Sequence, residues 1–322
     1  MKTIAIITGG NSAEYEISLQ SAKVVKENLS QEKYTAIIVH FKEANWEAIM
    51  NEKCYKINKT DFSFKKDDEK ISFDLAFMAL HGPPAENGEL QIYFDEIGLP
   101  YTTCGAKESA LTFDKNLCNK TLKEIGFLCP ESYFYTKGEN INKDEITKKV
   151  GLPCFVKPNA SGSSFGISKV IKRVDLKDAI ELALEHDNKV LIEQFIEGKE
   201  VSCGIFTHEG IEVFPLTEIV SYNDFFDFEA KYKGLSDEIT PARVSRKETE
   251  NIQKITKNVY QKLGLKGIVR IDYIIMKGIP YLIEINTIPG LSVESIIPKQ
   301  AKEAGYKLSE LFELTIENTI NK

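Results

Sequence analysis

The chain has no CxxC pair, no complete Gly-x-Gly-x-x-Gly and no Gly-Lys-Ser/Thr opening a helix. These absences exclude the usual zinc ribbon, the full dinucleotide fingerprint and the P-loop. Its six cysteines (Cys54, Cys104, Cys118, Cys129, Cys154 and Cys203) are scattered, and so are its four histidines (His40, His81, His186 and His208). A zinc site needs such residues clustered, so the cysteines read as reduced thiols of a cytosolic protein. The apolar run at Met1–Thr8 is too short for a signal peptide, and no stretch reaches the length of a membrane span. The expected location is therefore cytoplasmic, with no membrane partner. A net charge of −7 argues against a nucleic-acid binder with a general basic surface, though not against a local cationic pocket. No internal repeat is present.

With 322 residues, 42% hydrophobic and 28% charged, the chain is long enough for two or three packed units of an ordinary globular protein. Thr3–Thr8 reads as a buried parallel strand that leaves through Gly9-Gly10-Asn11-Ser12 into a helix from about Ser18, followed by a strand over Tyr34–Phe41. That order predicts an open α/β unit with its turn at the ligand-binding edge. The two glycines taken alone read equally as a tight turn. Asn58–Asp68 reads as a solvated loop or hairpin, and Ile71–Leu80 as a strand that ends at His81. A structural hydrogen bond accounts for one histidine beside a Gly-Pro turn better than a ligand contact does.

A second unit starts near Thr112, with a helix opening at Phe113-Asp114-Lys115 and ending at Gly126. Lys137–Lys149 reads as a loop and a short surface helix. Cys154–Pro158 reads as a strand, followed by the small-residue loop Asn159–Gly166 and a second strand from Ile167. Such a loop can fold over phosphates with backbone N–H groups and hydroxyls, Lys157 adding charge. A flexible hairpin accounts for it at least as well. Val190–Ile196 and Val201–Phe206 read as strands; Glu193 and Glu200 could accept hydrogen bonds from a nucleoside, and in isolation read as surface carboxylates. The aromatic-rich irregular segment Ser221–Ala242 has the character of an active-site loop. Helices are expected over Glu248–Leu263 and from Ser295 to Gly305.

The most informative stretch is Arg270-Ile271-Asp272-Tyr273 with Glu284-Ile285-Asn286 and Pro289-Gly290. Read as two strands, it puts Arg270 and Asp272 on one face of the first and Glu284 and Asn286 on one face of the second, with Ile271, Tyr273, Ile283 and Ile285 opposite. Two carboxylates about 4 Å apart repel by roughly 4 kcal/mol near a protein surface. A divalent cation removes that repulsion, and Asp, Glu and Asn oxygens are hard ligands of the kind Mg²⁺ takes. A two-residue turn at Lys277-Gly278 would set Asp272 opposite Ile283 and leave Glu284 on the wrong face. A shared metal site therefore requires an odd loop, such as Lys277 to Ile279, or a bulge.

Lys115, Lys157 with its Ser-Gly loop, Glu193 to Glu200, Arg270-Ile271-Asp272 and Glu284-Ile285-Asn286 occur in an order that resembles the ATP-grasp ligases, and most specifically the D-alanine–D-alanine ligase family. Gly9–Glu14 is similar to that family's opening, Lys157-Pro158 with Gly162–Ser168 to its phosphate loop, Glu229-Ala230-Lys231-Tyr232 to its mobile loop and Asn286–Leu291 to its closing signature. The resemblance runs from about Lys2 to Gly305.

What the resemblance implies is an α/β protein: an N-terminal open parallel α/β domain over residues 1–111, then a two-part ATP-grasp fold with a central subdomain over 112–205 and a C-terminal catalytic subdomain over 206–322. ATP would phosphorylate one D-alanine carboxylate, and the amine of a second D-alanine would attack the acyl phosphate. Lys115, Lys157 and Lys231 would neutralise phosphate charge, and Asp272, Glu284 and Asn286 would hold two Mg²⁺ ions, or Mn²⁺ in their place. Glu193, Gln194 and Ile196 would meet the adenine and Glu200 the ribose. Arg270 and the Gly290 N–H would form the oxyanion hole. Glu14 would bind the first ammonium, and Glu14, Ser163 and Tyr232 would tie the mobile loop shut. His81, Ser295 and Ile296 would complete the substrate site, with Ser295 and Ile296 on the second carboxylate. A homodimer is implied as well.

The sequence departs from the family pattern at Pro83-Pro84-Ala85, Ser161, Gln194 and Lys233-Gly234, none of them a metal ligand or phosphate lysine. Three rival readings separate from this one. A sister ligase would use D-lactate or another amino acid as second substrate. A nucleotide sensor without turnover would not need Arg270, Asp272, Glu284 and Asn286 together. A dinucleotide oxidoreductase accounts for nothing after Thr112.

Overall fold

The computed structural model describes residues 1–12, 14–43, 45–162, 165–221 and 236–321. The N-terminal unit runs β1 (Lys2–Gly9), α1 (Tyr15–Asn28), β2 (Tyr34–Lys42), β3 (Asn45–Met50), β4 (Lys53–Lys56), β5 (Phe64–Lys66), β6 (Glu69–Ile71), β7 (Leu75–Met78), α2 (Glu89–Ile97) and α3 (Ala106–Phe113). Its sheet has the order β4-β3-β2-β1-β7. β1 lies between two parallel neighbours, β2 and β7, and its apolar run is buried on both faces as such a position demands. The expected parallel sheet is thus present at the centre, but the whole sheet is mixed, because β3 and β4 add antiparallel strands. The connection from Lys42 to Asn45 is too short for a crossover and permits only a hairpin.

Two expectations in this unit change. The strand expected over Ile71–Leu80 is split, Ile71 closing the β5–β6 hairpin and β7 starting at Leu75. The segment expected to be solvated carries Phe62 and Phe64, both 1% exposed. They pack with Phe73, and Phe62 also meets Tyr93 and Phe94, which anchors the hairpin to the domain.

The middle of the chain comprises α4 (Lys115–Glu124), β8 (Ser132–Thr136), α5 (Lys143–Val150), β9 (Cys154–Pro158), β10 (Ser168–Val170), α6 (Leu176–Ala183) and β11 (Lys189–Gln194). The four strands form an antiparallel sheet of order β10-β9-β11-β8 over a core of its own that includes Val156, Leu176, Ile180 and Ile192. The last part comprises β12 (Lys199–Thr207), β13 (Ile211–Ser221), β14 (Ser236–Ile239), α7 (Arg246–Lys262), β15 (Val269–Met276), β16 (Ile279–Asn286), α8 (Ile296–Glu303) and α9 (Leu308–Ile320). Its sheet has the order β14-β13-β12-β15-β16. A reciprocal Ser245–Glu248 capping box starts α7 at the edge of the amphipathic pattern.

A division at residue 205 falls inside β12, which pairs with both β13 and β15 along its length. The chain changes sheets between Gln194 and Lys199 instead. Likewise α4 packs Cys118 and Leu122 into the core of the C-terminal sheet, not that of the middle one. The N-terminal unit and the C-terminal sheet also share a core, in which Ile4, Ile6 and Phe77 meet Phe206, Phe214, Leu311, Phe312 and Ile316. Among the described residues no helix is long and apolar enough to cross a membrane.

Candidate functional site

The β15–β16 hairpin meets the register requirement by a route of its own. Lys277 and Gly278 both have positive φ, 51° and 79°, and close a two-residue turn of the kind that matches strand twist. Met276 through Tyr273 pair with Ile279 through Leu282, and then the register shifts so that Asp272 faces Glu284 and Arg270 faces Asn286. Ile283 is the extra residue. This bulge, not a three-residue loop, puts Glu284 across from Asp272. It also corrects one face: Leu282 takes the buried place beside Tyr273 and Ile285, while Ile283 turns to line the cavity with Glu284.

Asp272 is buried and hydrogen-bonded at both oxygens. Ser202 Oγ donates to Oδ1 at 2.5 Å, Arg270 Nε and Nη2 donate at 2.9 Å to the two oxygens, and Asn286 Nδ2 donates to Oδ2 at 3.0 Å. Because the Asn286 amide nitrogen is turned to Asp272, its carbonyl oxygen is the atom left for a cation. Glu284 pairs with Lys115 Nζ at 3.3 Å. Asp272, Glu284 and Asn286 therefore offer hard oxygens from adjoining positions of one hairpin and fit a Mg²⁺-type ion. Among the described residues no three of His, Cys, Asp and Glu are placed to hold a metal ion, so such a ligand set depends on Asn286.

Opposite this hairpin stand β9 and β11. Lys157 and Glu193 form a buried ion pair, and Asn119 Nδ2 donates to the other Glu193 oxygen at 2.6 Å. Burying two charges is tolerable only when each is paired and hydrogen-bonded, and here both conditions hold. Lys115 donates to the Ser161 carbonyl at 2.7 Å as well as meeting Glu284, and so bridges the small-residue loop to β16. Asn159 holds the start of α4, its carbonyl accepting from the Lys115 N–H and its Oδ1 from the Asn116 N–H. That fixes where Lys115 emerges.

The N-terminal unit supplies the third wall. Glu14 is the residue before α1, and its carboxylate lies over Gly162 so closely that a Cβ there would run into it. His81 is buried three residues beyond the end of β7. Its Nδ1 lies 2.9 Å from the Ile288 carbonyl and its Nε2 3.0 Å from Ser21 Oγ, which in turn accepts from the Leu291 N–H at 3.2 Å. A neutral ring with the proton on Nδ1 satisfies the Ile288 carbonyl, the Ser21 hydroxyl and both ring nitrogens together, and burial lowers the pKa of His81 in the same sense. His81 thus holds the Ile288–Leu291 stretch, within which Gly290 lies. Glu86 also faces the cavity; its withdrawal from water, with Glu14 and Glu284 nearby, holds its carboxyl well above the usual range.

The three walls enclose a cavity of about 460 Å³. Glu14, His81, Lys115, Lys157, Glu193, Gln194, Ile196, Glu200, Arg270, Asp272, Glu284, Asn286, Gly290, Ser295 and Ile296 all line it. Ser163, Lys231 and Tyr232 lie outside the described residues. Sequence reasoning missed Ser202 and Asn119. Both carried a signal: Ser202 follows Glu200 on the same face of β12, and Asn119 is one helical turn beyond Lys115. Phe155, Ile167, Ile274 and Ile283 give the cavity apolar walls suited to a flat base.

Comparison with known proteins gives matches over almost the whole chain. The family model described as the D-ala D-ala ligase N-terminus matches residues 3–104, and that described as the D-ala D-ala ligase C-terminus matches residues 122–317. The chain is 50% identical over 319 residues to the D-alanine–D-alanine ligase of Flavobacterium johnsoniae, covering 98% of this chain and 99% of that one. Among solved structures, it is similar to the VanG D-Ala:D-Ser ligase from Enterococcus faecalis, with a TM-score of 0.87, 33% identity and 98% of each chain covered. It is also similar to the D-alanine–D-alanine ligase from Bacillus anthracis complexed with ATP, with a TM-score of 0.81 and 28% identity, covering 100% of this chain and 98% of that one.

Proposed function

The chain belongs to the D-alanine–D-alanine ligase family of ATP-grasp enzymes, and from that premise we propose that its cavity joins two D-alanine molecules through an acyl phosphate, with ATP as phosphoryl donor. The product is a precursor of peptidoglycan. The observation that carries the reading is the meeting of Arg270, Asp272, Glu284 and Asn286 on one hairpin with Lys115 and Lys157 from the facing segments, all around one cavity.

Phosphoryl transfer asks mainly for positioning and charge neutralisation. Lys115 and Lys157 are already turned inward and paired with carboxylates, so phosphate oxygens would exchange for the Glu284 and Glu193 contacts with little side-chain ordering. Adenine would lie against the apolar walls beside Glu193, Gln194 and Ile196, and the ribose at Glu200. Asp272, Glu284 and Asn286 would hold Mg²⁺, which supplies charge neutralisation to the phosphates when bound. Glu14 would take the ammonium of the first D-alanine at the Gly162 wall. Ser295 and the Ile296 N–H, at the positive start of α8, would take the carboxylate of the second. As its amine attacks, negative charge grows on the acyl oxygen, where Arg270 and the Gly290 N–H would receive it. His81 would keep Gly290 in place through Ile288 and Leu291. The resemblance adds Lys231 at the phosphates and Ser163 with Tyr232 as the latch that excludes water.

Phosphate release from ATP and Mg²⁺ tests the reading, with D-alanine, L-alanine, D-serine and D-lactate compared and the product identified by mass. D-alanine alone should support release and yield the dipeptide. No stimulation by D-alanine rules the proposal out. The similarity to a D-Ala:D-Ser ligase favours D-serine as the alternative second substrate, and a mixed dipeptide at matched concentrations would establish it. The homodimer implied by the family resemblance is tested by light scattering of the purified chain.

A further inference from the structure

Helix α8 begins at the cavity, where Ser295 and Ile296 stand; in its next turn Lys299 pairs with Glu238 of β14 at 3.1 Å, and Gln300 is bound to the backbone of β12. Opposite Gly204 of β12, strand β13 carries two residues, Phe214 and Pro215, because the register shifts between Cys203 and Ile205. Pro215 has no N–H to give, so the bulge removes a ladder partner from β12. Gln300 of α8 fills the gap as a strand would: its Oε1 accepts from the Gly204 N–H at 2.9 Å and its Nε2 donates to the Ser202 carbonyl at 2.9 Å. Gln300 and Ser202 are both 0% exposed. The fit leaves no slack, since a Cβ on Gly204 would come within 2.5 Å of Gln300 Oε1 and 2.7 Å of Ile297 Cδ1. Ser202, whose carbonyl Gln300 grips, is the residue whose hydroxyl donates to Asp272 at 2.5 Å.

We propose that Gln300 is a positioning residue for the second substrate: by clamping α8 to the backbone on either side of Cys203, it sets the distance from the Ser295–Ile296 carboxylate site to Arg270 and Asp272. This rests on the reading above that Ser295 and Ile296 take the second D-alanine. Ser295 is five residues from Gln300, about 7.5 Å along the helix, so a tilt at the clamp is delivered directly to the substrate end. Two features separate this role from general stability. α8 has a further apolar hold on the sheet through Ile297 and Ala301, so the fold survives loss of the amide. None of the donors to Asp272 is Gln300 itself: they are Ser202, Arg270 and Asn286.

Hydroxylamine provides the discriminating measurement. It traps the acyl phosphate as D-alanine hydroxamate, its nitrogen forming the bond to the acyl carbon as phosphate leaves, and it has no carboxylate to be held by α8. Gln300→Met fills the volume without hydrogen bonds, and Gln300→Glu keeps the acceptor for Gly204 while losing the donor to Ser202. Both should raise the D-alanine concentration that half-saturates dipeptide synthesis about tenfold, as one or two unpaired buried groups allow, and leave hydroxamate formation within about twofold. Ser295→Ala, run in parallel, should show the same split. Equal loss of dipeptide and hydroxamate in the Gln300 variants, or no change in either, overturns the positioning role. If Ser295→Ala shows the split and folded Gln300 variants do not, the substrate assignment stands and the role of Gln300 falls. If Ser295→Ala itself leaves dipeptide synthesis unchanged, it is the assignment of the second site that fails, and the proposal with it. Thermal unfolding identifies a variant that does not fold, in which case the other decides.

Discussion

His81 Nδ1 lies 2.9 Å from the carbonyl oxygen of Ile288, so a residue just beyond a strand of the N-terminal sheet holds the loop that follows the last strand of the C-terminal one. The ring's other nitrogen reaches Leu291 through Ser21. Gly290 sits between the two tethered residues, and with it the proposed oxyanion N–H.

Replacing His81 should therefore damage turnover through the loop. His81→Ala leaves the Ile288 carbonyl without its donor and the Ser21 hydroxyl proton without its acceptor, though Ser21 Oγ still accepts from Leu291, at a cost of about 1–3 kcal/mol for each buried group. The expected result is a fall in kcat of at least tenfold, roughly what a small displacement of an oxyanion donor brings, with the KM for ATP little changed. Burial lowers the His81 pKa, so the folded state prefers the neutral ring. That preference contributes stability above the unfolded histidine value of about 6.5 and is lost as pH falls from there through the lowered folded value. Urea unfolding at neutral and mildly acid pH should show a loss in the native protein that is absent in His81→Gln.

Glu284→Gln removes a charge from the proposed metal set and from the ion pair with Lys115. Metal-dependent turnover should drop by roughly two orders of magnitude while the melting temperature moves by only about 2 °C. A comparable collapse of both would mean that Glu284 serves mainly to bind Lys115 and hold the subdomains together.

Glu218 is buried on β13 and receives the Arg243 guanidinium at 2.8 Å and Lys199 at 3.3 Å, which press its pKa down to about 2. Arg243, through its hydrogen bond, is the first cause. A carboxylate depressed in the folded state contributes stability above its unfolded pKa, near 4.5, and loses it as pH falls towards about 2. Glu218→Gln should thus be less stable than the native protein at neutral pH, and the two melting temperatures should converge below pH 4.5. A gap that persists to the lowest pH would show that the side chain acts through packing alone.

Gly162→Ala puts a methyl group against the Glu14 carboxylate. Glu14 can yield, but only by leaving the position proposed for the first ammonium. Hydroxamate formation, which reads the first D-alanine alone, should need about tenfold more D-alanine for half-saturation while nucleotide binding holds. Unchanged hydroxamate kinetics would remove Glu14 from the first-substrate site.

The proposed chemistry was legible in the chain because the strands announce themselves locally. Period-two alternation placed Arg270 with Asp272 and Glu284 with Asn286, and from that pattern alone a shared site demanded a break in register. A strand's two faces follow from the geometry of neighbouring residues, which any short window contains. Which break occurs was not legible. The turn at Lys277-Gly278 and the docking of Leu282 beside Tyr273 select a bulge at Ile283, and that choice depends on a core assembled from β12, β15 and α7. The same holds for Asn119 on Glu193, Ser202 on Asp272 and Gln300 on Gly204, pairs separated by 70 residues or more. Local sterics declare an element and its faces; only the packing of distant segments decides which buried polar atom will find which partner.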